Sequence, residues 1–359
     1  MPTFDSTPCS CGIAIEGHRC APVQDPALVE LRRRVCERLE AGLIELPVLE
    51  EIATRLLWLS SQLATTGPDL AKVVEREPEL AAKLELLSNS PTYRGKYPIY
   101  GTDRAVTRLG VEMVASFTIG SASEKTFRST DDEYHALLRS CWKKSVYAAA
   151  AGELLAPYAD ARPELGHLAG LMHTIGEPVL VVGIEALIEN GIVARPNPSD
   201  LHAAIDPLTP VAAKILVERW KLPAILGVAL EQHRRQAATQ DSRAEKLAAL
   251  IRASAAISCH CVCGHAPRPV PDADRFRDTL TLDQDGFEEI AERARLQGDV
   301  LLGIYDSQND APQQYLSMCC PEGSRQCAGC SPGKGECRDT AATDLLEIRS
   351  EPDRRQPAN

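Results

Sequence analysis

Aromatic side chains make up only 4% of the 359 residues, with five Phe and three Trp among them. A core with so few rings must be filled by Leu, Ala, Val and Ile, which suits closely packed helices. Strict alternation of apolar and polar residues is also missing over any useful length, so a half-buried sheet has no signature. No apolar run approaches the roughly 20 residues that a membrane-spanning helix needs. The start, Met1-Pro-Thr-Phe-Asp-Ser6, lacks the basic and apolar blocks of a secretory signal. A cytoplasmic protein with no membrane partner is expected. Clustered positive charge is scarce: the net charge is −11, and the basic runs, such as Arg32-Arg33-Arg34 and Arg354-Arg355, are short. Phosphate backbones need clustered Lys and Arg, so no nucleic-acid partner is expected, and both runs read as solvated faces. A repeat of 20–50 residues is not visible either.

What is present is helical spacing. Residues 1–25 form a polar arm containing Cys9, Cys11 and Cys20. From Pro26, Leu28, Leu31, Val35 and Leu39 recur at three and four, and Gly42 closes the helix. A second helix carries Leu49, Ile52, Leu56, Leu59 and Leu63. Gly67-Pro-Asp69 restarts a short one, and Pro78 fits the first turn of the next, where its missing N–H has no cost. Residues 88–98 read as a loop. Thr102 and Asp103 are cap candidates for a helix stopped at Gly110, and another begins at Val111. A long pattern spans 132–158, and further helices are expected at 182–190, 210–220, 223–236, 243–259 and 284–297. Val179-Leu-Val-Val182 reads as buried helix rather than strand. The fold class is all-α, with an N-terminal lobe over about 26–128, a second lobe over about 130–305, and a Cys-rich irregular tail over 306–359.

The chemical anomaly is His167-Leu-Ala-Gly-Leu-Met-His-Thr-Ile-Gly-Glu177, an apolar helix expected to end near Gly176 and Pro178, with His173 on its inner side. His167 is placed at the opposite edge of that helix and His202, near a Pro-rich loop, is expected to be exposed. Around the stretch, a series of short motifs occurs in order: Leu46-Pro47; Val73-Val-Glu-Arg-Glu-Pro78; Leu86-Leu-Ser-Asn-Ser90; Ala105-Val-Thr-Arg-Leu-Gly110; Trp142-Lys-Lys-Ser145; Ala169-Gly-Leu-Met-His-Thr-Ile-Gly176; Trp220-Lys-Leu-Pro223; and Glu231-Gln-His233. With this order the chain resembles the HDOD family, the HD-related output domain of bacterial signalling proteins, from about Leu43 to Val300. The resemblance implies an all-α domain whose N-terminal helical lobe packs on a lobe related to HD phosphohydrolases.

Catalytic HD enzymes hold a metal through imidazole and carboxylate groups, and the ion acidifies a water. Carried onto this sequence by the resemblance, the first histidine position is Lys144, the His-Asp pair is His173-Thr174, a later histidine position is Thr209, and His233 is retained. The final ligand would come from 248–258, which contains no carboxylate. A lysine opposes a cation and threonine is a poor stand-in for aspartate, so catalysis by this pocket is not expected. Two readings of His173 stay open. It is a buried core histidine partnered by His233 or Thr174, or it joins Lys144 and His233 in a pocket for an anionic nucleotide or phosphate.

Thirteen cysteines are many for a reducing compartment. Cys259-His-Cys-Val-Cys-Gly-His265 ends a predicted helix. In the tail, Cys327-Ala-Gly-Cys330 is a CxxC step, with Cys319, Cys320 and Cys337 nearby. This set suits zinc or an iron–sulfur cluster, irregular-tail cysteines, or a thiol switch, although no zinc-ribbon spacing is matched. Cys36 and Cys141 sit on apolar faces and read as core residues. The leading expectation is a non-catalytic signalling module that binds a partner protein or a small anionic ligand. The alternatives are a metal or redox sensor built on the terminal cysteines, and a divergent metal-dependent phosphohydrolase.

Overall fold

Apolar spacing and helix punctuation place the elements. The computed structural model describes residues 26–62, 64–233, 242–263 and 279–306, without the side chains of His260 and Cys263. Among these residues all regular structure is helical. In chain order the helices are α1 (Pro26–Glu40), α2 (Glu51–Ser60), α3 (Gly67–Val74), α4 (Pro78–Ser88), α5 (Thr102–Leu109), α6 (Val111–Glu124) and α7 (Asp132–Leu155). A 3-10 turn (Ala156–Ala159) leads to α8 (Pro163–Met172), α9 (Gly176–Glu189), α10 (Pro198–Ile205), α11 (Thr209–Arg219), α12 (Ala224–Gln232), α13 (Ser242–Cys263) and α14 (Gln284–Tyr305). The polar arm 1–25 and the Cys-rich tail beyond Asp306 lie outside the described residues.

The ends of these helices have local causes. Thr66 and Asp69 form a capping box on α3, Asp131 caps α7, Asn197 caps α10 and Asp283 caps α14. After α1 and α5 the chain turns through Gly42 (φ 64°) and Gly110 (φ 83°), a backbone region that side chains disfavour. Thr102 and Asp103 do not cap α5: Gly101 occupies that position and no side chain bonds the helix end.

Three expectations are corrected. The stretch around His173 is not one helix ending at Pro178. Helix α8 stops at Met172, and α9 starts at Gly176 with Pro178 in its first turn, where the first N–H groups have no intrahelical partner anyway. Pro163–Glu189 is also long and apolar enough for a membrane span, contrary to the reading that no run approaches that length; 78% of its apolar window is buried within the protein. Third, Arg32 is not on a solvated face. Its guanidinium is buried and donates to Ala203 O (2.8 Å) and Ala204 O (3.3 Å). Those carbonyls belong to the last turn of α10, a helix the sequence pattern does not announce, and the negative end of a helix suits a cation. Through this contact α1, counted with the N-terminal lobe in the sequence, packs against α9 and α10.

Helices α2–α6 pack on one another, while α7 runs through the second half against α8, α13 and α14. The contact of α7 with α8 is backbone on backbone. A methyl group added to Gly152 would collide with the carbonyl of Gly166, and one on Gly170 with the carbonyl of Ala148. The scarce aromatics gather where α6, α7 and α14 meet. Phe117 stacks on Tyr305 with ring centroids 4.5 Å apart, and Trp142 meets Tyr305 edge-on at 5.4 Å. The Trp142 indole N–H donates to Asp306 at 3.0 Å, which also takes Arg139 at 2.7 Å. The rings bring both area and directed contacts to this seam.

Gly152→Ala should destabilise the protein by about 3 kcal/mol or more in urea unfolding, because the helix pair has no room to separate locally. A second expected outcome concerns Asp131, which caps α7 and is held by Arg195 at 2.7 Å. Arg195 keeps its carboxyl down at about 2. A depressed carboxyl stabilises the fold above its unfolded value of about 3.9 and loses that contribution as pH falls through its folded value. Asp131→Ala should therefore cost about 1–2 kcal/mol at pH 7, mostly the lost cap. The gap between variant and wild type should close as urea melts are repeated from pH 4 toward pH 2.

Candidate functional site

The junction between α8 and α9 carries the residues that the resemblance singles out. His173 takes the C-cap position of α8, and its Nδ1–H donates to Gly170 O at 2.7 Å. His233 repeats the device at the end of α12, donating from Nδ1 to Leu230 O at 2.5 Å. In both rings a bond to the carbonyl three residues back places the Nδ1 proton and orients the ring. Both histidines are buried. Helix α12 packs against α8, α11 and α13, so the two imidazoles come from neighbouring helices.

Thr174, in the aspartate position, is buried and already committed to protein partners. Its hydroxyl lies 2.5 Å from Ser145 Oγ and 3.4 Å from Cys141 O. Lys144, which precedes Ser145 on α7, is half-buried. The Cys141 thiol donates to Glu177 Oε2 at 2.6 Å, which engages the one carboxylate in the first turn of α9. Thr209 is fully buried, donates to Ile205 O at 3.2 Å, and its carbonyl lies where a side chain on Gly176 would stand. The positions that the resemblance singles out thus carry two imidazoles, an ammonium and two hydroxyls, with threonine in the aspartate position. This donor set does not fit the divalent ion of the HD enzymes. Among the described residues no group of three or more His, Cys, Asp or Glu is placed to hold a metal ion.

The cysteines divide. Cys36 and Cys141 are buried, Cys259 is exposed, and Cys261 is half-buried with its thiol pushed up to about 12 by burial. Cys319, Cys320, Cys327, Cys330 and Cys337 lie outside the described residues. His202, expected on the surface, is half-buried, and its Nδ1 is shielded without a hydrogen-bond partner.

A second polar cluster has no counterpart in the sequence reading. Glu153 of α7 accepts from the Tyr93 hydroxyl at 2.6 Å and from Gln297 Nε2 at 2.9 Å. His167, fully buried on α8, places Nδ1 3.4 Å from the same carboxylate and Nε2 3.1 Å from the Tyr305 hydroxyl. Burial drives both phenols above the ordinary tyrosine range, and the Glu153 charge adds to it. The Tyr93 loop, α7, α8 and α14 are thereby tied at one point. Sequence spacing gives a single hint, the histidine within the apolar α8.

The fold defines an all-α HD-type domain. The HDOD domain model matches residues 46–236, and the chain belongs to the HDOD family. Among solved structures, a candidate metal-dependent phosphohydrolase from Shewanella amazonensis SB2B is 18% identical, with a TM-score of 0.59 over 76% of this chain and 100% of that one. An HDOD domain protein of unknown function from Geobacter sulfurreducens is 19% identical, with a TM-score of 0.54 over 78% of this chain and 98% of that one. A candidate signal transduction protein from Marinobacter aquaeolei VT8 is 20% identical, with a TM-score of 0.53 over 79% of this chain and 67% of that one. At these identities the likeness is one of fold. No curated protein matches the chain.

Tyr93→Phe removes one donor from the buried Glu153 carboxylate and should cost about 1.5–3 kcal/mol of stability. The measurement is the urea midpoint of the variant against wild type, and an unchanged midpoint would mean that water replaces the phenol.

Proposed function

We propose that this chain is a non-catalytic regulatory module of bacterial signal transduction, which binds a partner protein or a small anionic ligand through its degenerate HD lobe. The observation that carries the reading is Thr174. Where an HD enzyme presents an aspartate to a metal, this residue is a neutral hydroxyl 2.5 Å from Ser145 within the packed α7–α8–α9 junction. A cation there would find a neutral hydroxyl in place of the aspartate, with the one nearby carboxylate, Glu177, already taken by the Cys141 thiol, which disfavours binding. Retained His173 and His233 supply shape and polar contacts, and with Lys144 they suit an anion better than a metal.

A divergent phosphohydrolase is the second reading, favoured by the fold shared with the candidate phosphohydrolase from Shewanella amazonensis. The two separate in one assay. Full-length protein is incubated with manganese and bis(p-nitrophenyl) phosphate, beside a His173→Ala control. Turnover no higher than that of the control is expected. Manganese-dependent turnover that disappears in His173→Ala overturns the non-catalytic reading.

A further inference from the structure

The loop that sends Tyr93 inward presents a different character to solvent. Between Asn89 and Arg108 the chain has four cations and one carboxylate, Asp103, within a protein of net charge −11. Arg108 is used internally, donating to Ser88 O, Asn89 Oδ1 and Tyr97 O at 3.1–3.4 Å. Arg94, Lys96 and Arg104 are exposed, and none forms an ion pair among the described residues. Elsewhere on the surface Arg33, Arg128, Arg195 and Arg295 are paired with carboxylates while Arg55, Arg76 and Arg219 are not, among the described residues; what sets this segment apart is three such cations within eleven residues. Beside the three cations stand Tyr97 and Tyr100, 68% and 71% exposed, with the Lys96 ammonium 5.5 Å from the Tyr97 ring centre.

This segment is held in shape. Asn89 clamps Ile99 from both sides, accepting its N–H at 2.9 Å and donating to its carbonyl at 2.8 Å. Gly101 N–H donates to Glu85 at 3.0 Å, and the Tyr93 phenol is fixed on Glu153. Exposed tyrosines and cations on a pre-ordered loop lose little entropy on binding, and Tyr and Arg are the side chains that dominate interface energies.

We propose that the Arg94–Gly101 loop and the first turn of α5, which carries Arg104, form a docking surface for a short acidic protein segment that also carries apolar side chains. The three unpaired cations meet its carboxylates, and Tyr97 and Tyr100 cover its apolar groups. The local positive charge steers such a segment against an otherwise acidic surface. A nucleic acid fits less well, because its charge continues past the loop onto the acidic remainder of the molecule. The inference rests on the regulatory reading above and names the chemistry of its partner.

The test uses full-length protein and a fluorescent glutamate–tyrosine copolymer, read by anisotropy. Wild type should bind the copolymer, and binding should weaken with added salt. The triple variant Arg94→Glu, Lys96→Glu, Arg104→Glu should bind at least about tenfold more weakly. Tyr97→Ser with Tyr100→Ser should weaken binding without altering its salt slope. All five positions are exposed, and an unchanged circular dichroism melt confirms the fold. The proposal is overturned by equal binding of wild type and triple variant, or by absence of copolymer binding. It is also overturned by tighter binding of a single-stranded oligonucleotide, or by a dimer in sedimentation that charge reversal dissociates. Failure here with no phosphodiesterase turnover leaves the regulatory reading standing, whereas turnover removes that reading without changing the loop measurement.

Discussion

Helices α7 and α8 touch without side chains between them, and the second half of the fold depends on that closeness. Gly152, Gly166 and Gly170 let the two backbones meet, with Ala148 and Ala149 completing the seam. Because the pair is so close, the side chains just beyond it are forced into contact. Ser145 reaches Thr174 across the α8–α9 turn, Cys141 reaches Glu177, and Glu153 reaches His167. A wider crossing would admit water to these groups and loosen both polar clusters. Interiors packed at this density transmit small displacements rather than absorb them.

The two clusters differ in what they leave for chemistry. At the α8–α9 junction, Thr174 bonds Ser145 and the Cys141 carbonyl while the Cys141 thiol takes Glu177, so these groups are occupied by protein contacts. At Glu153, a buried carboxylate accepts from Tyr93 of the loop and Gln297 of α14, with His167 of α8 3.4 Å away. A carboxylate so enclosed costs much unless each donor is in place. That requirement binds the inner end of the Tyr93 loop to α7, α8 and α14, while its outer end stays exposed and cationic. One loop therefore joins the surface of the N-terminal half to the centre of the second.

Much of the helix order was legible from residue spacing. The Leu31, Val35, Leu39 period, Pro78 in a first turn, the stop at Gly110 and the long run from Asp132 all follow local rules that the structure keeps. The break between α8 and α9 was not legible, because the apolar pattern runs through it unbroken and Pro178 serves equally as an end or a beginning. Helix α10 was hidden by its prolines, although Asn197-Pro198 is a sound start. Arg32 looked like surface because its partners, the carbonyls of Ala203 and Ala204, are 171 and 172 residues away.

The sequence by itself determined an all-α chain of the HDOD family, since motif order and helical period are written in local residue choice. The resemblance read from it also implies that Lys144, Thr174 and Thr209 stand where an HD enzyme has ligands. Only the tertiary structure decided what those residues do instead. Thr174 bonds Ser145, Thr209 seats its backbone against Gly176, and His173 and His233 orient through carbonyls of their own helices. The Glu153–His167 cluster was likewise decided by packing alone. Contacts between residues dozens of positions apart depend on how closely two backbones approach, and no local spacing records that distance.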